Sequence, residues 1–503
     1  MLNPAPRAAT IWFGEIVTAR VLLEGDGPLT QRVAQGIRAA IAQGRLSPGE
    51  RVPSSRTLAA SLGVSRNIVV HAFEELLAEG HLVSRGGAGT FVADEPPFTP
   101  RLETFDSTQV DAASAPRLSR FGELIHRWAP HRTWGQPLSA PIDFSYWHTT
   151  FDRHASADWS RLARKRISRL REAYPNPYGD AALRKAIAAH VVARRGINCA
   201  ADDIVILNGA QQGLDLIART LVTPGGPVLV EEPHYQGARQ IFEAAGARVQ
   251  FVPVDNEGLN IAAAGDQPGA VVFTTPSHQF PTGVAMSAAR RSALLDWSAR
   301  NGAWVIEDDI DSEYQHDGRH VAALKAIDAN ERVIYVSTFV RAFTTALRIG
   351  FLIAPRQLRE VLVGAKWFTD RGTSEFEQSV LCDFIEGGYY ERHLRRMGRL
   401  YRAKRETLVR ALRAAFGTDI AIPGKPAGLH LYVRFEALAD AQTEALVAKT
   451  REGGVGIYDA ARYHVQAPEC ASVLLGFGAM PVNELEEGVK ILARAYAQVL
   501  AGK

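Results

Sequence analysis

The chain has 503 residues, which is enough for about two to four domains of ordinary size. Its 46% of hydrophobic residues, 22% of charged residues and lack of an apolar run of about 18 residues predict a globular protein without a membrane span. The three cysteines lie far apart, which excludes a disulfide scaffold and any CxxC metal site and favours a reducing cytoplasm.

The formal charge of +3, taken over the whole chain, argues against a nucleic-acid-binding protein, but this charge is unevenly distributed. Seven arginines and four glutamates give residues 28–93 a net charge of +3, so the remaining residues sum to about zero. A local excess of positive charge suits DNA, because the phosphates of DNA are closely spaced. Residues 28–93 are therefore a candidate DNA-binding zone.

Two short helices joined by a turn are predicted inside this zone. Ser54 and Ser55 are suited to begin a helix that ends near Leu62, where Gly63 supplies a tight turn. Ser65 is expected to cap the second helix, with its hydroxyl accepting a hydrogen bond from a first-turn amide. The residues whose helical spacing predicts a buried face on the second helix are Val69, Ala72, Phe73, Leu76 and Leu77.

This arrangement is typical of a helix-turn-helix, in which the first turn of the second helix reaches base edges in DNA. Arg66 and Asn67 lie in that first turn, and their side chains suit guanine and adenine respectively. Residues 82–85 and 90–92 flank a glycine-rich turn and predict a hairpin wing, with Arg85 directed toward phosphate. A small helical domain with solvated arginines is the alternative interpretation.

The segment GRLSPGERVPSSRTLAASLGVSRNIVVHAFEELLAEGHLVSRGGAGTFVA at residues 44–93 closely resembles the winged helix-turn-helix of the GntR family of bacterial transcription regulators. The resemblance implies that double-stranded DNA is a partner of this zone. It also implies that six residues lie at or near DNA, namely Arg56, Ser65, Arg66, Asn67, Arg85 and Gly89.

Residues 94–140 contain six prolines and show weak periodicity, so they are predicted to form a linker. From residue 141 onward, short apolar runs alternate with helix-length segments, which predicts an α/β domain with a mainly parallel sheet. The predicted buried strands are Ile204–Leu207, Val228–Val230, Val271–Phe273, Trp304–Ile306 and Val333–Val336.

Several segments of this larger zone are placed to bind a ligand. The strand that ends at Leu207 runs into a turn of small residues and a helix, whose N-terminal amides favour a phosphate. Asp308 lies at the carboxyl end of a predicted strand, where ligands bind in open α/β sheets, and Tyr235 follows another strand. The segments that resemble aminotransferase class I, fold type I of the pyridoxal-phosphate enzymes, are YPNPYG at 174–179, PSHQFPTG at 276–283, IEDDIDSEY at 306–314 and ALRIGFLIAP at 346–355.

The order of the two resemblances is that of the MocR (GabR-like) subfamily of GntR regulators. It implies a DNA-binding domain at 22–93, a linker at 94–140 and an aminotransferase-like effector and dimerisation domain at 141–503, which includes a smaller α+β C-terminal subdomain. The roles it implies are Asp308 for the pyridine nitrogen of pyridoxal phosphate, Tyr235 for its ring, Ala210, Gln211, Thr338 and Arg348 for its phosphate, and Arg462 for the carboxylate of an effector.

One position departs from this family, because relatives carry a lysine that binds pyridoxal phosphate covalently where this chain has Arg341. An arginine stays protonated in proteins and cannot act as that amine. Ile310 stands where relatives usually have the tyrosine that contacts the ring hydroxyl, and Lys325 and Lys366 are expected to lie on helix surfaces. The pocket ligands that stay open are pyridoxal phosphate held without a covalent bond, a preformed cofactor–amino acid adduct, and another anionic metabolite, toward which Arg341 would add a fixed positive charge.

Together these observations predict a cytoplasmic, homodimeric transcription regulator that binds operator DNA and senses a small metabolite. The metabolite is expected to resemble an amino acid or pyridoxal phosphate, and neither transaminase activity nor a metal site is predicted. Two alternatives are an aminotransferase-type enzyme with a fused DNA-binding domain, and a large domain that only dimerises.

Overall fold

The computed structural model describes six stretches of the chain, which fall into two units with a boundary between Arg117 and Leu118. The described stretches are residues 27–97, 117–129, 140–150, 152–168, 174–317 and 322–502. Residues 22–26 of the predicted DNA-binding domain and much of the predicted linker lie outside the described residues.

The described part of the first unit consists of helices and one hairpin. In chain order these elements are α1 Leu29–Ala42, α2 Ser55–Leu62, α3 Arg66–Ala78, β1 Leu82–Arg85 and β2 Gly89–Val92. Helix α2 follows the Ser54 cap, whose hydroxyl accepts a hydrogen bond from the amide of Thr57, and it ends at Gly63, which is left-handed with φ of 67°. Strands β1 and β2 pair antiparallel, so the predicted helix-turn-helix and wing are both confirmed.

The core of this unit forms where α3 packs against α1. Of the predicted apolar face of α3, the buried members are Val69, Ala72, Phe73 and Leu76. Across the same contact, Arg38 of α1 forms ion pairs with Glu75 and Glu79 of α3 at 3.1 and 2.8 Å. One arginine of the candidate DNA-binding zone therefore holds two helices together.

The second unit contains a larger set of helices and strands. Its helices are α4 Arg120–Trp128, α5 Arg153–Ile167, α6 Ala181–Arg195, α7 Ala210–Leu221, α8 Gln236–Ala244, α9 Ala288–Asn301, α10 Arg356–Asp370, α11 Glu375–Glu386, α12 Tyr389–Phe416, α13 Thr443–Glu452 and α14 Val482–Ala501. Its strands are β3 Ile142–Asp143, β4 Ile204–Leu207, β5 Pro227–Glu232, β6 Arg248–Asp255, β7 Gly258–Leu259, β8 Val271–Thr274, β9 Trp304–Asp309, β10 Val333–Thr338, β11 Gly350–Ile353, β12 Ile420–Ala421, β13 His430–Phe435, β14 Val455–Gly456, β15 Tyr458–Asp459 and β16 Ala471–Gly476. Each strand predicted from the sequence lies within one of these strands.

The strands of this unit pair into three sheets. The largest has eight strands in the order β4-β11-β10-β9-β8-β5-β6-β7, and a second has four antiparallel strands in the order β12-β13-β16-β15. Strands β14 and β3 form a parallel pair. In the large sheet β10, β9, β8, β5 and β6 run parallel, which confirms the predicted α/β class with a mainly parallel sheet.

The direction of these strands collects several strand ends at one edge of the large sheet. Strand β4 runs antiparallel to β11, and β11 runs antiparallel to β10, so β4 and β10 point the same way. The carboxyl ends of β4, β5, β9 and β10 therefore share an edge, which is called the carboxyl edge below. Open α/β sheets bind ligands at such an edge.

The predicted linker contains a helix. Helix α4 follows Ser119, whose hydroxyl accepts a hydrogen bond from the amide of Gly122 at 3.2 Å. The prolines at 116 and 130 flank this helix without entering it, which explains how a proline-rich stretch includes regular structure. Among the described residues, no helix is both long enough and apolar enough to cross a membrane.

A buried ion pair connects three elements of the second unit. His190 of α6 lies 2.6 Å from a carboxylate oxygen of Glu313, which follows β9, and 3.5 Å from Glu391 in α12. Burial by itself lowers the pKa of His190, but the two carboxylates, Glu313 above all, raise it to about 9. His190 is therefore expected to be protonated and to hold α6 against the carboxyl edge at neutral pH.

We expect the His190→Gln variant to lose stability in a pH-dependent way. The contribution of protonated His190 is complete below its ordinary pKa of 6.5 and is lost as the pH rises through about 9. Urea unfolding of the full chain between about pH 6 and about pH 10 should show a wild-type advantage on the order of 3 kcal/mol at the acidic end that fades toward the alkaline end. His71→Gln, at an exposed histidine beside Glu74, is the matched control. Parallel pH profiles for wild type and His190→Gln would contradict this assignment.

Candidate functional site

The first turn of α3 presents the side chains that the sequence predicts for base contacts. Ser65, Arg66 and Asn67 are exposed there, and Arg56 is exposed on α2. The expectation for the Ser65 hydroxyl is wrong, because Ser65 is the N-cap residue of α3 but its side chain makes no capping hydrogen bond. The backbone carbonyl of Ser65 accepts from the amide of Ile68 instead, at 3.1 Å. The hydroxyl of Ser65 therefore lies on the same open surface as Arg66.

The wing carries the other two predicted DNA contacts. Arg85 and Gly89 stand opposite each other at the end of the hairpin. Arg85 is exposed, forms an ion pair with Asp94 at 3.0 Å and lies over the ring of Phe91. A Cβ atom on Gly89, whose φ is 117°, would lie 3.0 Å from the Arg51 guanidinium. This contact places Arg51 beside the wing, a neighbour that the sequence pattern did not indicate.

In the second unit, the predicted cofactor residues lie at the carboxyl edge. Ala210 and Gln211 begin α7 directly after β4, and Tyr235 follows β5. Asp308 lies in β9, paired with Val336 of β10, and Thr338 is the last residue of β10. These side chains come from four different strand ends, and the strand order brings them to one edge.

Asp308 is buried and lacks a full set of partners. Its Oδ1 atom has no hydrogen-bond partner among the residues that the structure describes. Burial, together with the nearby carboxylates of Asp309, Asp311 and Glu231, raises the pKa of Asp308 to about 7. A buried carboxyl group with an empty acceptor position is suited to a cationic hydrogen-bond donor.

The backbone of the turn before α7 packs directly against the guanidinium of Arg348. Gly209 has a φ of 91°, and a Cβ atom on it would lie 2.9 Å from the Arg348 guanidinium. Arg348, itself left-handed with φ of 51°, donates a hydrogen bond to the carbonyl of Asn208 at 3.3 Å. The Thr338 hydroxyl is already engaged, because it donates to the carbonyl of Ile349 at 3.2 Å. The N-terminus of α7 and the guanidinium together form a positively polarised turn.

Tyr235 lies over this region of the carboxyl edge. Its hydroxyl donates a hydrogen bond to the side chain of Gln211 at 3.2 Å. Its ring centre lies 6.3 Å from that of Phe273 and 5.8 Å from that of Phe280. The position of Tyr235 is thus fixed by a hydrogen bond at its hydroxyl and by aromatic contacts at its ring.

Arg341 is buried, and each of its three guanidinium nitrogens donates a hydrogen bond. Its guanidinium binds both carboxylate oxygens of Asp311, at 2.8 and 3.1 Å, and also donates to the backbone carbonyl of Tyr146. Burial would raise the pKa of Asp311, but Arg341 lowers it to about 2. The charges of the pair cancel, so Arg341 does not supply the uncompensated positive charge that the sequence suggested.

Arg462, the predicted effector residue, is exposed and precedes a cluster of aromatic side chains. Its neighbour Tyr463 forms a hydrogen bond between its hydroxyl and that of Tyr146. Tyr146 in turn supplies the carbonyl that Arg341 binds. A chain of contacts therefore runs from the Arg462 segment to Arg341.

Two lysines of the second unit are buried, and for Lys366 this contradicts the expectation from the sequence. Lys366 was expected on a helix surface but is fully buried, because its amine is held by Asp370 at 2.6 Å. Asp370 also accepts hydrogen bonds from the side chains of Asn208 and Gln212, which support the turn before α7. Lys404, which the sequence pattern did not single out, is also buried. Its amine donates to the Thr150 hydroxyl and to the carbonyl of Gly478, and burial lowers its pKa to about 8.

Two family models match the chain and cover most of it. The model for bacterial regulatory proteins of the gntR family matches residues 29–92. The model for aminotransferase class I and II matches residues 148–491. The second family is one of pyridoxal-phosphate-dependent folds.

Relatives with the same two-part organisation extend over nearly the whole chain. The probable rhizopine catabolism regulatory protein MocR of Rhizobium meliloti is 34% identical over 482 residues, which is 94% of each chain. The HTH-type pyridoxine biosynthesis transcriptional regulator PdxR of Corynebacterium glutamicum is 30% identical over 89% of this chain and 91% of that regulator. A solved structure of Pyrococcus horikoshii kynurenine aminotransferase matches 79% of this chain and 98% of that enzyme, at 26% identity and a TM-score of 0.65. The chain therefore belongs to the MocR-like HTH-type transcriptional regulators, in which a GntR-family DNA-binding domain is fused to a domain of the aminotransferase class I and II family.

Proposed function

We propose that this regulator binds operator DNA through α3 and its wing, and that a small metabolite bound at the carboxyl edge controls that binding. The observation that carries the proposal is a contrast between the exposed side chains at the start of α3 and the buried, ion-paired Arg341. The side chains of Arg66 and Asn67 in the first turn of α3 are exposed, whereas the residue at the expected covalent attachment position is a buried arginine paired with Asp311. The DNA-binding surface is open, and the reactive amine of an aminotransferase is replaced.

The residues at the carboxyl edge fit pyridoxal phosphate or a close derivative. The unpartnered Oδ1 atom of Asp308 suits a protonated pyridine nitrogen. The N-terminus of α7, with Arg348 beside it, suits the phosphate, and Tyr235 is placed to cover the ring. When bound, this cofactor supplies an electron sink for reactions at an amino-acid carbon. We propose that here it is held without a covalent bond to the chain.

Two features of the chain oppose transamination. Arg341 cannot lose its proton to become an amine nucleophile, and its fork of donors is occupied by Asp311. Ile310 has a hydrocarbon side chain where a tyrosine would contact the ring hydroxyl. The pocket therefore keeps groups for binding a ring and a phosphate but lacks the group that moves protons between substrate atoms.

The name of one relative supports a vitamin B6-type effector, but the names of the relatives do not point to a single metabolite. One relative is named for pyridoxine biosynthesis and another for rhizopine catabolism, so regulators of this organisation are named for different metabolites. We propose that Arg462 binds a carboxylate of the effector, since it is exposed and adjoins the aromatic cluster of Tyr146 and Tyr463.

We further propose that the protein acts as a homodimer in the cytoplasm. A two-fold regulator can place two copies of α3 on two half-sites of an operator, which multiplies the specificity of each copy. A bacterial-type DNA-binding regulator acts where the chromosome lies, which is the cytoplasm. Effector binding would then change the population of dimer arrangements and so the spacing of the two DNA-binding domains.

We expect the Arg66→Ala variant to bind operator DNA more weakly by about 1–3 kcal/mol, because one bidentate contact to a base is lost. Fluorescence titration of labelled operator at fixed salt measures the change. Arg45→Ala, at an exposed arginine outside α2, α3 and the wing, is the matched control for the loss of one positive charge. Equal affinities of Arg66→Ala and Arg45→Ala for operator would contradict the assignment of Arg66.

We expect pyridoxal phosphate to bind more tightly as the pH rises through about 7, because Asp308 then becomes a carboxylate that can pair with the ring nitrogen. The Asp308→Asn variant should bind about tenfold more weakly or worse at slightly alkaline pH and should lose this pH dependence. An absorbance titration measures both quantities, with the exposed Asp266→Asn as control. Unchanged affinity and pH profile in Asp308→Asn would remove Asp308 from the cofactor site.

We expect the Arg341→Lys variant to show no more amino-acid transamination than wild type. A lysine at this position meets the Asp311 carboxylate, and Ile310 still leaves the ring hydroxyl without a partner. Turnover assays with amino acids, and mass spectrometry after borohydride reduction, measure activity and covalent attachment. Robust turnover by this single variant, or a cofactor attached covalently to wild type at any lysine, would refute the proposal and favour the aminotransferase alternative.

A further inference from the structure

Behind Arg341 lies a buried group of potential metal ligands that comes from three distant parts of the chain. His278, Asp311 and His430 each offer one donor atom, and these atoms all lie within 4.8 Å of one another. The Nδ1 atoms of His278 and His430 are 3.8 and 3.9 Å from the same oxygen of Asp311. Both separations are too long for hydrogen bonds, so neither imidazole is hydrogen-bonded to Asp311 through its Nδ1 atom.

We propose that His278, His430 and Asp311 form a binding site for a divalent transition-metal ion of the zinc type. The donor set of two imidazole nitrogens and one carboxylate oxygen is typical for such ions, whereas magnesium and calcium prefer oxygen donors alone. Two donors of a tetrahedral zinc site, each about 2.0–2.1 Å from the ion, are about 3.3–3.4 Å apart. The two imidazole–carboxylate separations, 3.8 and 3.9 Å, would shorten by about half an ångström on binding, and the two imidazole donors, which lie within 4.8 Å of each other, would also move together.

The hydrogen bonding of His430 presents it in the form that binds a metal. Its Nε2 atom lies 3.0 Å from the carbonyl of Pro281, which can only accept a hydrogen bond, so Nε2 carries the proton. The Nδ1 atom then holds a lone pair, and it has no hydrogen-bond partner among the described residues. A histidine that donates to a backbone carbonyl with its other nitrogen is the usual outer support of a metal ligand.

The position of His278 depends on two glycines. A Cβ atom on Gly283 would lie 3.1 Å from the ring of His278, and one on Gly428 would lie 2.5 Å from it. Both glycines also have positive φ, of 73° and 68°. The backbone is therefore shaped to admit the imidazole of His278.

Arg341 does not prevent an ion from binding to Asp311. Each oxygen of a carboxylate has two lone pairs, and Arg341 uses one on each oxygen of Asp311. An ion at this site would therefore share Asp311 with Arg341, and the two neutral imidazoles would supply its other protein ligands.

The test uses the full chain stripped of metal with a chelator and free of pyridoxal phosphate, so that it is independent of the proposed cofactor and of DNA. Wild type should bind one Co²⁺ or Zn²⁺ ion per chain in calorimetry, give a visible Co²⁺ spectrum and unfold at a higher temperature with metal than without. His278→Gln and His430→Gln should each weaken binding at least about tenfold. Glutamine keeps a donor near the Nε2 position of His430 and removes the Nδ1 ligand.

The matched control is His464→Gln, because His464 also faces a carboxylate, Glu232, at 3.7 Å but lies outside the three-residue cluster. This variant should bind metal as wild type does. Thermal unfolding without metal shows whether each variant is folded, and X-ray absorption of the zinc-loaded wild type counts its imidazole ligands without any substitution. The proposal is overturned if wild type binds no stoichiometric metal, if both cluster variants bind it unchanged, or if the absorption spectrum shows fewer than two imidazoles.

Discussion

Burial of carboxylates at the carboxyl edge is the constraint on which the second unit depends. Parallel strands bring their ends to one edge, and five buried acidic residues lie at or next to it, namely Glu231, Glu307, Asp308, Asp309 and Asp311. A buried carboxylate destabilises the fold unless it is hydrogen-bonded or paired. Thr274 and Thr275 donate to Glu231, while Arg195 and Arg341 pair with Asp309 and Asp311. Asp308 keeps an oxygen without a partner among the described residues, and this is where the edge has capacity for a ligand.

The presence of arginine rather than lysine at position 341 follows the same logic. A guanidinium can bind both oxygens of Asp311 and still donate to the carbonyl of Tyr146, whereas a lysine amine is a single point of charge. Arg341, which follows β10, thus joins this strand end to the segment after β9 and to the segment around Tyr146. A pocket of this kind suits the proposed regulator, because a sensor must bind and release its ligand reversibly.

Local patterns in the sequence predicted the two helices of the helix-turn-helix and the hairpin wing, but they missed helix α1 and failed where distant residues meet. The Ser54 cap, the turn at Gly63 and the apolar face of α3 all depend on residues a few positions apart. The Ser65 hydroxyl and Lys366 were wrongly placed, since a capping bond competes with other geometries and the partner of Lys366 is one turn further along a buried helix face. The linker helix α4 escaped detection because nearby prolines dominated the composition.

The sequence by itself determined the order of the two domains, five strands of the large sheet, the helix-turn-helix and the presence of an arginine at position 341. These features are encoded by spacing and residue type over short stretches, where the chain's own geometry fixes which side chains are neighbours. Only the tertiary structure decided that Arg341 is neutralised by Asp311, that Arg51 lies beside the wing, and that His278 and His430 face one carboxylate. Hydrogen bonds and ion pairs act over a few ångströms, so their partners are chosen by how the strands and loops cross in space and not by their separation along the chain.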